Sequence, residues 1–193
     1  MGAIQFLPFV GERYKDSRWQ RRVMVLGESH YGQDARPGFT RDVLARLFDG
    51  SAPFEHWMNT FTRFASALAG SPQNRVESKE VWDEVLFYNY VQTLLSGPRM
   101  APSPAQLEGA PEAFWEVLRA WAPDVVLAWG ARLYEYLPPE GEQGKECNGV
   151  PTWIYEPTPN HKVYVLPVDH PSSSRFSPEK WHATIGKFLG QIP

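Results

Sequence analysis

The sequence predicts an α/β protein, a three-layer αβα sandwich with a mainly parallel central sheet. Two observations carry this. Short runs rich in apolar, β-branched and aromatic residues, at 22–26, 85–91 and 125–129, read as core strands. Such strands alternate with segments that read as helices through most of the chain, which argues for helices on both faces of the sheet.

The elements follow in order. Arg22-Val23-Met24-Val25-Leu26 is an apolar run that stops at Gly27. Residues 40–48 then read as a helix with Val43, Leu44, Leu47 and Phe48 on one face. A second helix is expected over 54–69, ended by Gly70-Ser71-Pro72. Residues 85–91 form the next strand, and 97–104 a proline-containing loop. Ser103-Pro104 supplies an N-cap and first helical residue for a helix reaching about Trp121. Gly109 and Pro111 make its first part irregular. Residues 125–129 are the third strand, and Gly130 leads into a short helix ending near Leu137. Residues 138–151 read as loop, and 151–155 and 162–166 as further strands. Ser177-Pro178 caps a last helix through Leu189. Trp57, Trp115 and Trp121 sit on apolar helix faces and read as packing residues.

Ligands of such sheets bind in the crevice beyond the carboxyl ends of the strands. Residues 27–32 and 170–176 each follow a strand, so both loops are expected on that edge.

The chain has 193 residues, which suits a single domain over 1–193. Hydrophobic residues make up 42% and charged residues 21%, which excludes a disordered tail or a membrane protein. No apolar run is long enough to span a bilayer, and the first ten residues lack the pattern of a signal peptide. The expectation is a soluble cytoplasmic protein and a monomer. Cys147 is the single cysteine, which excludes a four-cysteine iron–sulfur or zinc cluster. The formal net charge of −3 argues against strong nonspecific DNA binding but leaves room for a local basic patch. Arg175, Lys180, His182 and Lys187 offer such a patch, or an ordinary solvated helix face.

Four stretches together resemble the uracil-DNA glycosylase superfamily. Gly27-Glu28-Ser29-His30-Tyr31-Gly32 is similar to its first motif, which reads Gly-Gln-Asp-Pro-Tyr, Gly-Glu-Ala-Pro-Gly or Gly-Met-Asn-Pro-Gly in known branches. Phe87-Tyr88-Asn89-Tyr90-Val91 resembles the strand that carries a base-reading Asn. Residues 123–131 resemble the strand ending in Gly before the next helix, and His170-Pro171-Ser172 matches the start of the second motif. The resemblance runs in consistent order from about Arg22 to the C-terminus.

It implies a uracil-DNA glycosylase-like fold and a DNA glycosylase of base excision repair, acting on uracil or a related deaminated or damaged base. Such an enzyme extrudes the base, holds it and breaks its bond to the sugar. His170 would donate to the base as negative charge develops on it. Asn89 would read the pairing edge, because an amide presents one donor and one acceptor side by side. Phe39 would stack on the base, a contact worth about 1–3 kcal/mol. Gly27, His30 and Tyr31 would line the base site, with Tyr31 excluding thymine. Ser29 stands where the best-known members place Asp or Asn, and Glu28 is the stronger candidate to position water. Ser172, Ser173 and Ser174 would bind phosphates, and Arg175 or Phe176 would wedge into the duplex. The implied partner is DNA, single- or double-stranded, with no metal, cofactor or membrane.

Two other readings stand beside this one. The same fold could hold a base, nucleotide or nucleic-acid end without cleaving it. A small-molecule hydrolase could use Glu28, His30 and His170, with Ser29 paired to either histidine, although Gly-Glu-Ser-His-Tyr-Gly is not a Gly-x-Ser-x-Gly elbow.

Overall fold

The computed structural model describes residues 2–98 and 100–193. Met1 and Arg99, in the expected N-terminal segment and the loop at 97–104, lie outside them. In chain order the elements are β1 (Phe9–Val10), β2 (Val23–Gly27), α1 (Phe39–Phe48), α2 (Met58–Ala69), α3 (Arg75–Trp82), β3 (Val85–Asn89), α4 (Pro104–Leu107), α5 (Ala110–Trp121), β4 (Val125–Trp129), α6 (Ala131–Tyr136), β5 (Glu142–Gln143), β6 (Trp153–Thr158), β7 (His161–Val168) and α7 (Pro178–Gln191).

They build one sheet in the order β1-β3-β2-β4-β7-β6-β5. The four central strands, β3, β2, β4 and β7, run parallel. Antiparallel strands flank them: β1 on one side, β6 and then β5 on the other. All residues of β2, β3 and β4 are buried, which explains why these strands read as continuous apolar runs.

Successive side chains of a strand point to opposite faces, so each strand feeds two cores. Val23, Val25, Phe87, Leu127 and Trp129 pack under α1, α2, α3 and α7. Met24, Leu26, Tyr88, Val126 and Ala128 pack under α5 and α6. Trp57 joins the first cluster, and Trp115 and Trp121 the second. The first core centres on Phe61, Phe64, Trp82, Phe87 and Trp129. Several of their ring pairs lie 5.0 to 5.7 Å apart in tilted or edge-to-face contact. Such pairs add about 0.5–1.5 kcal/mol each beyond the area they bury.

The order of strands sets where a ligand can sit. After β2 the chain crosses the first face through α1, α2 and α3 and returns as β3. It then crosses the opposite face through α4 and α5 and returns as β4, on the other side of β2. Connections therefore leave β2 and β3 toward opposite faces, and in sheets built this way ligands bind beyond the carboxyl ends of such strands.

Several elements differ from the sequence expectation. Residues 54–57 stay outside the helix, with 56–57 in a turn where Met58 N–H bonds Glu55 O and Asn59 N–H bonds His56 O, so α2 starts four residues late. The expected helix from Ser103 to Trp121 divides at Gly109, whose φ is 79°. α3 was not expected, yet Asn74 and Glu77 form a capping box at its start. The two-residue strands β1 and β5 carry too few residues to show a pattern.

Glu84 precedes β3 and closes the amino-terminal edge of the sheet. Only 5% of the residue is exposed. It accepts bonds from Arg18 N–H, Nε and Nη2 and from Arg13 Nη2. Burial works against its charge, but these bonds outweigh burial and hold its pKa below the usual carboxylate value. A depressed folded pKa contributes stability above the unfolded value, and that stability is lost as pH falls through the folded value. Glu84→Gln is expected to cost about 2 kcal/mol at pH 7. Chemical denaturation at pH 7 and again in acid checks this: the gap from the wild type should close in acid.

Candidate functional site

β2, β3, β4 and β7 end on one edge, and the loops that follow them meet there. The parallel register places Gly27 opposite Asn89. A Cβ on Gly27 would lie 2.1 Å from Oδ1 of Asn89. The bare glycine is what lets the Asn89 amide lie across the end of β2. Asn89 is 4% exposed, and among the described residues no hydrogen bond engages its side chain. Its carbonyl accepts from Gln92 Nε2, and Gln92 Oε1 accepts from the Gln5 and Phe6 N–H groups. The buried Gln92 amide thus ties the N-terminal segment to the end of β3.

Residues 27–32 follow the chain beyond β3. Tyr90 N–H bonds Gly27 O, Val91 N–H bonds Glu28 O, and Leu95 N–H bonds His30 O. Gly32 N–H then bonds Leu95 O. This ladder fixes the loop main chain.

His170 enters two residues beyond β7. Gly130 N–H donates to Val168 O, and Gly130 itself, with φ 95°, approaches His170: a Cβ there would lie 3.6 Å from the His170 Cβ. Beneath the imidazole lies Trp129, edge-on at 5.9 Å between ring centroids. Nδ1 of His170 accepts from Ser172 N–H at 3.2 Å and lies 2.8 Å from the Ser172 hydroxyl. A main-chain N–H can only donate, so Nδ1 is an acceptor and the ring proton sits on Nε2. Burial lowers the His170 pKa below the usual imidazole value, while Glu28 raises it and Arg132 lowers it. The ring is a neutral Nε2–H donor at pH 7.

Glu28 forms a bidentate pair with Arg132, the second residue of α6. Arg132 Nε donates to Oε1 at 2.7 Å and Nη2 to Oε2 at 2.5 Å. The Arg132 side chain is 45% exposed and that of Glu28 only 13%. The hydrogen bonds to Glu28 push the guanidinium pKa up. Nη2 also reaches Met100 O at 3.5 Å, so the pair touches the loops after β2, β3 and β4.

The second loop is held by a residue the sequence reading did not single out. Arg63, on α2, donates Nη1 to Pro171 O and Ser173 O and Nη2 to Phe176 O, at 2.5 to 3.2 Å. Its guanidinium also lies 5.4 Å from the Phe176 ring. Ser173 N–H closes a turn onto His170 O, and Ser173 Oγ accepts from Arg175 N–H. A lone arginine on an apolar helix face was the available signal.

Some expected residues lie apart from the crevice. His30 is 6% exposed, packed edge-on to Phe39 at 4.9 Å and Phe6 at 5.5 Å. Its Nε2 pairs with the Thr40 hydroxyl at 2.9 Å, and burial pulls its pKa down to about 4. This histidine of the first loop is packed between two aromatic rings, with its Nε2 committed to Thr40. Phe176, expected as a wedge, is 3% exposed and packs on Phe64 and Arg63. It anchors its loop, so Arg175, which is exposed, is the remaining candidate at that tip. Phe39 is half-buried and spends its ring edges on His30 and Phe6. Tyr31 is 44% exposed on the rim. Ser172 is committed to His170, while Ser174 is exposed. Ser29 is half-buried, and neither His30 nor His170 hydrogen-bonds to it.

A groove of about 570 Å³ between β1, α1 and α3 holds none of these residues. Arg41 and Lys79 oppose Glu12, Asp49 and Asp83 along its walls. Among the described residues no three His, Cys, Asp or Glu side chains converge as metal ligands would. No helix of the described residues is long and apolar enough to cross a membrane. No protein-family model matches the chain, and no curated protein matches it.

Arg63→Met removes the donor to three loop carbonyls. The expected cost is at least about 2 kcal/mol, since hydrogen bonds to charged groups are worth roughly 1.5–3 kcal/mol each. The ¹⁵N signals of His170 should also change from one fixed tautomer to an averaged pair. Denaturation and imidazole NMR check the two effects separately.

Proposed function

We propose that this chain is a uracil-DNA glycosylase-type N-glycosidase that removes uracil or a related deaminated or damaged base from DNA. The observation that carries the reading is the His170 tautomer. With Nδ1 held by Ser172, the ring offers one Nε2–H donor, in the loop that follows β7. The Asn89 amide stands at the end of β3, on the same sheet edge, with no protein hydrogen bond to its side chain among the described residues. The reading also takes support from the order of the four sequence motifs and from the sheet, whose carboxyl edge gathers three of them.

The chemistry follows from those groups. The bond between the sugar C1′ and the base nitrogen breaks, and its electron pair leaves with the base. Negative charge spreads onto the base carbonyl oxygen, where a preoriented N–H lowers the barrier most. Asn89 matches one donor and one acceptor on the pairing edge. Water adds to C1′, and the proton it loses is taken up by the departed base anion, directly or through solvent. Glu28 stands at the rim to orient that water and to offset the sugar cation.

A second reading, a module that holds a base or nucleotide without cleaving it, is favoured by one observation. Both oxygens of Glu28 are engaged by Arg132, and a serine occupies the next position. Each oxygen then has fewer lone pairs left to orient a water.

The test is excision from labelled DNA carrying uracil, hypoxanthine, xanthine or thymine, single-stranded and paired, with alkali to reveal abasic sites. Cleavage is expected on one deaminated base and not on thymine. His170→Ala should slow it at least tenfold, with losses in Asn89→Ala and Glu28→Gln. The rate should stay level through neutral pH and fall only in acid below 6.5, the ordinary imidazole value, where Nδ1 gains a proton and releases Ser172. Tight binding with no abasic product would leave the binding module as the reading.

A further inference from the structure

We propose that Arg132 is an anion-exchange point, at which a phosphate of a nucleotide ligand takes the guanidinium from Glu28. The inference rests on the reading of this edge as a nucleotide site, whether or not the base is then cleaved.

The geometry supports exchange. Arginine presents a planar fork that fits a carboxylate and a phosphate equally well. In this pair the fork is occupied by Glu28 through Nε and Nη2. Among the described residues Nη1 carries no hydrogen bond, so a ligand can dock on that nitrogen before the carboxylate leaves. The exposures are unequal in the useful sense: Arg132 stands in solvent at 45%, with Glu28 beneath it at 13%. A phosphate arriving from solvent therefore meets the cation first. The same guanidinium reaches Met100 O, in the loop after β3, and acts electrostatically on His170 after β7. A phosphate held there lies at the carboxyl edge of the sheet, beside the loops after β2 and β3.

Exchange changes what Glu28 can do. Paired, its charge is cancelled by Arg132. Once phosphate holds Arg132, the carboxylate is left in the loop after β2 with its lone pairs open to water. Glu28 is thus idle until a phosphate-bearing ligand arrives, and a free base or nucleoside does not release it. The ligand class that follows is a nucleotide or a nucleic-acid strand.

The probes are inorganic phosphate, an oligonucleotide carrying an uncleavable tetrahydrofuran abasic residue, and the same strand with an uncharged methylphosphonate backbone. Binding is followed by titration and by the ¹⁵N–¹H signal of Arg132 Nε. The phosphodiester strand is expected to shift that signal and to bind at least tenfold tighter than the methylphosphonate strand. Glu28→Gln removes the competing carboxylate and should tighten phosphate-dependent binding at least threefold. Arg132→Met should abolish the preference, and the double variant should not recover it. A shift with the strand alone assigns the site to nucleic acid, and with inorganic phosphate alone to mononucleotides. The inference is overturned if neither probe moves the Arg132 signal, or if Glu28→Gln leaves affinity unchanged. No probe is cleavable, so failure here is separate from failure of base excision. Excision without exchange would discard the exchange alone; exchange without excision would discard the glycosylase alone.

Discussion

The parallel pairing of β2 with a strand on each side is the constraint on which the rest of the crevice depends. Val23 to Gly27 run in register with Val85 to Asn89, and Val23 to Leu26 with Val125 to Ala128. Parallel neighbours cannot be joined by a tight turn, so each connection must cross a face of the sheet. Here the two crossovers take opposite faces. The connection leaving β2 therefore parts from the one leaving β3, and from α6 after β4, which packs on the same face as α5. Register does the finer work. A slip of one residue would turn Asn89 and Trp129 to the other face, under α5. It would also bring a side chain, in place of Gly27, against the amide.

Loops at such an edge carry main-chain groups that no strand pairs with, and each must find a partner or water. The structure meets this with polar side chains, Gln92 buried and Arg63 half-buried, reaching from neighbouring elements. Gln92 accepts from two N–H groups of the N-terminal segment and donates to the end of β3. Arg63 donates to three carbonyls of the turn that presents His170. Apart from the Gln92 bond to Asn89, three residues away, these contacts are not local in sequence. The Arg63 partners lie 108 to 113 residues away, and those of Gln92 include 86 and 87. A rigid imidazole at this edge is thus a tertiary property, made by a helix from the other end of the chain.

That distance explains what the sequence could and could not reveal. The central strands were legible because burial on both faces writes an unbroken apolar run. The placement of residues 27–32 and 170–176 on one edge followed from counting strand ends. The fate of individual side chains did not. His30 and His170 look alike as letters, each beside a strand end. The first is closed between Phe6 and Phe39, and the second packs edge-on to Trp129 with its Nδ1 held by Ser172. Phe6 belongs to a segment with no regular pattern, so nothing local marked His30 as buried. Arg132 was likewise silent, because an arginine two residues into a helix reads as an ordinary surface charge. Its meaning comes from Glu28, 104 positions earlier.

The electrostatics of the edge follow from the same arrangement. Glu28 and Arg132 push the His170 proton affinity in opposite directions, so their effects oppose each other and burial sets the sign. The ring is neutral because of where it is packed and not because of a charged neighbour. Neutrality of this kind is robust to salt, since screening weakens Coulomb terms between exposed groups far more than it weakens desolvation. It is not robust to the loss of one member of the pair. Removing Arg132 leaves a carboxylate that favours the imidazolium, and removing Glu28 leaves a cation that disfavours it. The whole chain carries −3, which repels a polyanion weakly at long range. An anion bound at this edge would be held at short range, by a few donors within a Debye length of about 8 Å at physiological salt. An exposed guanidinium whose present partner is a single carboxylate is such a donor, and its neutral partner state keeps the crevice from presenting a bare charge to every passing ion.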